Sequence, residues 1–483
     1  MLSDDVTVLN IKHKVLQEVA KLAYDKKLEE GKELLPFQMI PGPKARFRCC
    51  IYKEREIIRQ RVRLAEGKCP SDKQSDSMIQ VISSACEECS IARYVVTDNC
   101  QKCMGKACQA ACRFGAISMG RDKSYIDPSK CKECGQCAKA CPYNAIADLV
   151  RPCMKSCPVD AISVADNGTG IAVINQDKCI QCGSCVHKCP FGAIGSKTFI
   201  VDIIKKMRSD IKVFAMLAPA TIGQFGADIT MSSWRTALKK IGFYDVVDVS
   251  LGADMTAMNE AKEWIEAKEK GEKKTTSCCP AFKNYIEKHF PTLKDAISET
   301  VSPMCAASRY IKEKFPGAVT VFIGPCIAKK AESMSGEKDT ADYALTYGEI
   351  RAMLRAKGVK LEPEEDTDDQ GSIYGKKFAN AGGVTAAVLE SMKELGCTGD
   401  VSVCKCSGIT ECKKALTLMK VGRLPEDFIE GMVCEGGCVG GPSRHRDPNL
   451  AMRDRNAALA KSSDILIKDN LDKQNAETVD MIR

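Results

Sequence analysis

No stretch of this 483-residue chain is apolar for long enough to cross a bilayer. The longest such run, Val213 to Ala220, is far short of the roughly 20 residues a spanning helix needs. The opening MLSDDVTVLN has acids where a secretory leader carries an apolar core, and no twin-arginine pair follows. The expectation is a cytoplasmic, reducing location with no membrane segment. A dinucleotide fingerprint is missing too. Gly168-x-Gly170 has no third glycine at fingerprint spacing, so it reads as a turn, and no flavin or nicotinamide site is evident. Disorder is not the default with 44% hydrophobic residues, and the length suggests two or three domains.

Cysteine is the excess: the chain has 29. Without a secretory leader, thiolate–metal ligation explains them better than disulfides. Sixteen fall between Cys86 and Cys189. Residues 1 to 85 carry no metal-type spacing. Val15, Val19 and Leu22 recur at helical spacing with Gly31 as a stop, Pro41-Gly42-Pro43 is a turn, and Lys53 to Glu66 is again helical. Cys49, Cys50 and Cys69 in this region read as free or buried thiols. After Phe199, apolar strand-like runs (Ile211 to Leu217, Tyr244 to Val249, Val319 to Ile323) alternate with helical text, the pattern of an α/β domain. Cys326 follows the third run, at a strand's C-terminal end, where open α/β sheets build their sites. The text after Pro442 is polar and helical, and says little.

Cys131, Cys134, Cys137, Cys141 and Pro142 match the C-x2-C-x2-C-x3-C-P run of bacterial ferredoxins, as do Cys179, Cys182, Cys185, Cys189 and Pro190. A tight loop wraps three thiolates around one [4Fe–4S] cube, and the fourth reaches a neighbour. Cys100, Cys103, Cys108 and Cys112 form a counterpart to the first run. Cys86 and Cys89 with Cys153 and Cys157 form a split counterpart to the second. Ala-Ile repeats at Ala116, Ala145, Ala161 and Ala193 support four related half-units. The crossing rule then gives four cubes. Cys131, Cys134 and Cys137 take Cys112; Cys100, Cys103 and Cys108 take Cys141; Cys179, Cys182 and Cys185 take Cys157; Cys86, Cys89 and Cys153 take Cys189. Zinc is the alternative for a lone C-x2-C. The nesting resembles polyferredoxin subunits of molybdenum oxidoreductases and formate-linked enzymes. Each such cube carries a net charge of roughly −2, so four offset the formal +8 of the chain, and nucleic acid is not the expected partner.

Four stretches of the second half resemble signatures of the [FeFe]-hydrogenases: Thr276-Ser277-Cys278-Cys279-Pro280; Gly324-Pro325-Cys326-Ile327-Ala328-Lys329-Lys330; Cys434-Glu435-Gly436-Gly437-Cys438-Val439-Gly440-Gly441-Pro442; and Gly252-Ala253-Asp254-Met255-Thr256. The resemblance implies that Cys279, Cys326, Cys434 and Cys438 hold a cubane. Cys438 then bridges to a two-iron unit carrying CO, cyanide and azadithiolate, together the H-cluster. Lys329 corresponds to the lysine that hydrogen-bonds a cyanide, and Met432 to a methionine packed on the two-iron unit, unless it merely fills the core. Cys278, spare beside Cys279, matches the thiol that exchanges protons with the azadithiolate amine; a second structural thiol is the plainer alternative. Glu260, Ser298 and Glu263 match a proton relay, although a solvated helix face would also explain the glutamates. The family's outermost arginine has no counterpart, Ala267 and Lys268 lying nearby.

Phe282 replaces the first signature's tryptophan, Gly324 the methionine that opens the second, and Met304 a glutamine, which points to a divergent, group B-like subgroup with a polyferredoxin N-terminal region. Cys305, Cys397, Cys404, Cys406 and Cys412 lie outside the common pattern. Cys404-x-Cys406 reads as plain thiols or a small metal site; Cys305, next to Met304, is the exception to watch as a neighbour of the site, its role left open.

The expected fold is α+β and multidomain: a helical region 1–85, a nested ferredoxin-like domain 86–195, a two-lobed α/β H-cluster domain 200–445 and a helical tail 446–483. The expected activity is anaerobic, reversible conversion of protons and electrons to H2, with a ferredoxin, another redox protein or companion subunits exchanging electrons. The alternatives are a hydrogen- or redox-sensing relative of low turnover and an iron–sulfur assembly scaffold.

Overall fold

The computed structural model describes residues 7–72, 75–86, 89, 92–367, 370–397, 399–462 and 464–483. Two parallel sheets form the second half. Val213–Leu217 (β1), Asp245–Asp248 (β2), Val319–Gly324 (β4) and Tyr343–Thr346 (β5) pair in the order β2-β1-β4-β5, and Lys274–Thr275 (β3), Phe428–Met432 (β7) and Val403–Ser407 (β6) in the order β3-β7-β6. β1 and β7 are buried along their whole length, the pattern of a central strand covered on both faces. From β1 the chain steps outward to β2, then crosses back to β4, so the order reverses between β1 and β4. Crevices at such reversals, beyond the carboxyl ends of the strands, are where open sheets take ligands.

The helices that matter here are Val8–Tyr24 (α1), Ile51–Ala65 (α2), Val249–Glu269 (α3), Pro280–His289 (α4), Pro303–Lys314 (α5) and Ile467–Gln474 (α6). α1 starts at Thr7, whose hydroxyl accepts from Asn10 N at 3.2 Å, and it ends at Tyr24, before Gly31, because Lys26 turns left-handed (φ 61°). Ile11, Val15 and Val19 make the buried stripe that the spacing implies, and they join Ile203, Val213 and Val321 in the core beneath the first sheet. α3 is capped by Asp248, which accepts from Ser250 N at 2.8 Å, and it crosses α5 at Gly252, where a Cβ would collide with the Pro303 carbonyl. Trp264 stacks on Phe428 at 4.3 Å between ring centroids, closing the second lobe.

The tail is not the uninformative stretch its polarity suggests. Ile467, Leu471, Val479 and Met481 enter the second lobe's core, Ile482 bridges Thr300, and Arg309 Nη1 donates to the carbonyls of Asp480 and Ile482 at 2.7 and 2.8 Å.

In the cysteine-rich region, nesting takes a concrete form. Tyr94–Val96 pairs with Ile146–Asp148, closing one unit, and Ile79–Val81 pairs with Ile194–Ser196, closing a second unit around it. The Ile79–Val81 strand thus belongs to the sheet of the cysteine-rich region, although the sequence reading groups it with residues 1–85. Gly168 and Gly170 sit in the turn between Ile162–Val164 and Ala172–Ile174.

Candidate active site

The Ala-Ile repeats have a purpose that spacing alone does not reveal. Gly115, Asn144, Asp160 and Gly192 all have left-handed φ, between 48° and 61°. Each turns the next N–H onto the sulfur four residues before it: Ala116 to Cys112 (3.4 Å), Ala145 to Cys141 (3.4 Å), Ala161 to Cys157 (3.2 Å) and Ala193 to Cys189 (3.2 Å). Such N–H donors favour thiolate and influence cluster potential.

The cysteines gather in fours. Cys112, Cys131, Cys134 and Cys137 line one hollow of about 310 Å³, and Cys100, Cys103, Cys108 and Cys141 another of about 340 Å³. Burial pushes Cys153 up to about 11, with the charges of Cys189, Cys86 and Cys89 adding to it. Burial likewise raises Cys185, reinforced by Cys182, Cys179 and Cys157. Cys153 acts on Cys185 as well, so these eight cysteines share one neighbourhood, whereas the first eight divide between two hollows. Among the described residues no three such side chains close on a single ion.

A larger cavity of about 880 Å³ lies where the two sheets meet. Strand ends reach it from both sides: Ala218 after β1, Val249 after β2, Cys278 and Cys279 after β3, Cys326 after β4, Val433 and Cys434 after β7. Cys438 completes the thiols, and Met304, Met432 and Phe378 make the walls apolar. Cys438 is exposed and Cys278, Cys279, Cys326 and Cys434 are half-buried, and all five face this hollow. Burial, then Cys279 and Cys438, push Cys326 up to about 12; burial, then Cys279, bring Cys438 to about 11 against the pull of Lys329 and Arg455. Burial also raises Cys434, with Cys326, Cys279, Cys438 and the ferredoxin-type Cys182 adding in turn. Thiolates crowded into an apolar hollow are unfavourable until cationic metal sits among them. The donor set therefore fits a cubane, and the leftover space fits a further metal group.

Lys329 is buried at the rim. Its Nζ pairs with Glu332 at 2.6 Å and donates to Ser302 Oγ at 2.9 Å, and Ser302 Oγ donates to Glu332 at 2.6 Å. Burial alone would lower the ammonium, but Glu332, Cys326 and Cys278 outweigh it and the net shift is upward, so Lys329 stays charged.

Cys278 is raised well above its ordinary value by burial first and by Glu260 next. Glu260 itself is wholly buried, with no hydrogen-bond partner for either oxygen. Burial, then Glu263, push it up to about 8, and the Ser277 backbone and Arg483 pull the other way. Ser298 Oγ donates to Glu263 at 2.6 Å, Thr300 Oγ1 donates to the same oxygen at 3.1 Å, and Lys274 Nζ stands 3.8 Å from the other. Ser298 and Glu263 are therefore joined, and Glu260 lies between them and Cys278 without a direct bond to Ser298. Ala267 is buried in the lobe's core and Lys268 is exposed, so the cation at Glu263 is Lys274, from the start of β3. Nothing in the signatures marks Lys274, Thr300, Ser302 or Glu332: Lys274 comes in on β3, Ser302 as the cap of α5, and Glu332 three residues after Lys329 on the same short helix.

Met304 lines the cavity, but its neighbour Cys305 does not. Cys305 approaches Lys338 O at 3.9 Å and is buried in the second lobe, where Glu332 and Lys329 of the rim still act on it. Phe282 lies flat over Gly431, where any Cβ would strike the ring. Cys404 and Cys406 stand 3.9 Å apart beside Cys412.

Residues 211–442 match the family described as "Iron only hydrogenase large subunit, C-terminal domain". This half of the chain belongs to the iron-only hydrogenases. Residues 124–147 match a 4Fe-4S binding domain and 151–193 a 4Fe-4S dicluster domain. "Iron hydrogenase 1" of Clostridium pasteurianum is 31% identical over 68% of this chain and 66% of its own length. The "Periplasmic [Fe] hydrogenase large subunit" of Nitratidesulfovibrio vulgaris is 29% identical over 51% of this chain and 72% of its own. The "Cytosolic Fe-S cluster assembly factor NAR1" of Meyerozyma guilliermondii is 27% identical over 33% of this chain and 32% of its own. The chain is thus a divergent hydrogenase relative with iron–sulfur ferredoxin-type domains, and it spans about two thirds of the first relative's length. Among the described residues no helix is long and apolar enough to cross a membrane.

Proposed function

We propose that this chain interconverts protons and H2 at an H-cluster, fed with electrons through four accessory [4Fe–4S] clusters. The observation that carries the reading is the placing of Cys279, Cys326, Cys434 and Cys438 around one apolar hollow, with a fifth thiol, Cys278, beside them and a carboxyl behind it. When bound, the two-iron unit supplies the redox and hydrogen chemistry.

The protein's own part is holding, shielding and moving protons. Lys329 would donate to an anionic ligand of that unit, held in place by Glu332 and Ser302. Met304, Met432 and Phe378 keep water from the hollow. Cys278, neutral because it is buried, carries a proton between the hollow and Glu260, and Glu260 is protonated at neutral pH. Glu260 hands on to Ser298 through a bridging water, since no direct bond joins them, and Glu263 with Lys274 forms the outer end. The electron partner in this reading is a ferredoxin or another redox protein, or companion subunits, and the location is the cytoplasm.

The test is infrared spectroscopy and H2 turnover on protein matured with the family's maturation proteins. Metal-bound CO and cyanide bands with turnover are expected. In Cys278→Ala the bands should persist while turnover falls at least a hundredfold, the scale of a lost general acid–base group. Full iron–sulfur content without those bands would instead make the chain an assembly scaffold. Bands with slow turnover that is indifferent to Cys278 would make it a sensor.

A further inference from the structure

Residues 7–65 lie outside the three matched segments, yet they set a buried cation, Arg61, and a half-buried one, Lys12, against one quartet of cysteines. Arg61, on α2, is 7% exposed and its Nη2 donates to Gly192 O at 2.8 Å, while its Nε has no partner. Gly192 is the left-handed residue that turns Ala193 N–H onto Cys189. α1 closes on the same turn: a Cβ on Gly192 would meet Val8, Arg61 Nη2 at 2.7 Å and Lys12 Cε at 3.1 Å. Among the described residues the one side chain of acidic type acting on Arg61 or on Lys12 is Cys189, and Arg48 adds a further positive charge near Arg61. Buried cations without a carboxylate are unfavourable unless some other anion is present.

We propose that α1 and α2 form an electrostatic cap that raises the reduction potential of one accessory cluster, the one held by Cys86, Cys89, Cys153 and Cys189. The proposal rests on the reading that this quartet holds a [4Fe–4S] cluster. With four thiolates the oxidised cluster carries roughly −2, and it becomes one unit more negative on taking one electron, with no bond made or broken. Arg61 and Lys12 favour that reduced form, and the missing carboxylates leave their field uncancelled. Among the described residues the cations acting on the other accessory quartets are exposed, Lys123 on Cys100 being one of them. Lys288, the cation acting on Cys179, is exposed, so water screens it. The capped cluster therefore holds an electron between the outer unit and Cys182, whose quartet touches the large cavity.

The experiment is a redox titration of the full chain, with its iron–sulfur clusters reconstituted, followed by electron paramagnetic resonance. In Arg61→Gln one accessory midpoint should fall by about a tenfold change in reduced-to-oxidised ratio, roughly 59 mV for one electron, while the others stay. Lys12→Gln, which removes no hydrogen bond of Arg61, should lower the same midpoint by less, and Arg61→Lys should retain most of the wild-type value. Unchanged midpoints in both glutamine variants at full iron content would overturn the proposal, as would an Arg61→Lys drop equal to that of Arg61→Gln. Wild-type protein one accessory cluster short would instead overturn the ligand assignment beneath it.

Discussion

At Glu260 the fold takes a carboxyl out of water and offers its oxygens no close hydrogen bond, only the pull of the Ser277 backbone. Burial and Glu263 lift it from an ordinary 4.5 to about 8. Since the folded value lies above the unfolded one, its contribution to stability is complete below about pH 4.5. That contribution is lost as pH rises through 8, to an upper limit of a few kcal/mol. A carboxylic-acid infrared band should be present at pH 7, titrate away near pH 8, and be absent from Glu260→Gln. A band already gone at pH 6 would remove Glu260 as a proton carrier. The glutamate was legible because it stands at a set distance from the Gly252 stretch. The orphaned oxygens were not, because they depend on what packs above α3. The same division holds at Lys329, where the motif names the lysine and the fold supplies Ser302 and Glu332.

Elements position these residues through close approaches that small side chains permit. α3 and α5 touch at Gly252, and the next residues of α5, Pro303 and Met304, line the cavity. Gly252→Ala should push α5 toward the hollow and destabilise the fold by about 1 to 3 kcal/mol, the usual effect of overpacking. Infrared bands of bound CO and cyanide should shift as Met304 moves. A variant with wild-type melting temperature and unshifted bands would show that the helices have slack. Alternation of apolar runs revealed β1, β2 and β4, since a buried parallel strand is apolar along its length. β6 and β3 stayed hidden. β6 reads VCKCS, with a lysine among thiols, and β3 is two residues long, too short for any period. Both exist because β7 lies between them. The left-handed residues before Ala116, Ala145, Ala161 and Ala193 were visible as a repeat, but their role, aiming an N–H at sulfur, belongs to backbone geometry.

At the scale of the whole molecule, one ferredoxin unit is inserted within another, and both ends of the insertion leave through one strand pair. Tyr94 faces Asp148 across that pair, and Arg93 Nε, just before it, meets Asp148 at 2.8 Å. The enclosing unit, inner only in lying against the hydrogenase half, closes independently through Ile79–Val81 and Ile194–Ser196. The quartets proposed for it draw only on cysteines outside the insertion, and it packs on the hydrogenase-like half, where Ile180 and Ile327 join apolar clusters shared across the boundary. Replacing residues 92–150 by a short glycine linker should therefore leave a folded protein. Iron content should fall by two clusters, and the resonance signals of the inner unit and the infrared bands should persist. H2 turnover with a small dye donor should stay within a fewfold of the full chain, because a dye can deliver electrons to the inner unit directly. Turnover with a protein donor should drop by at least tenfold if the outer unit is where electrons enter. Equal loss with dye and protein would mean instead that the insertion holds the inner quartets in shape, and that nesting is a matter of stability rather than of reach.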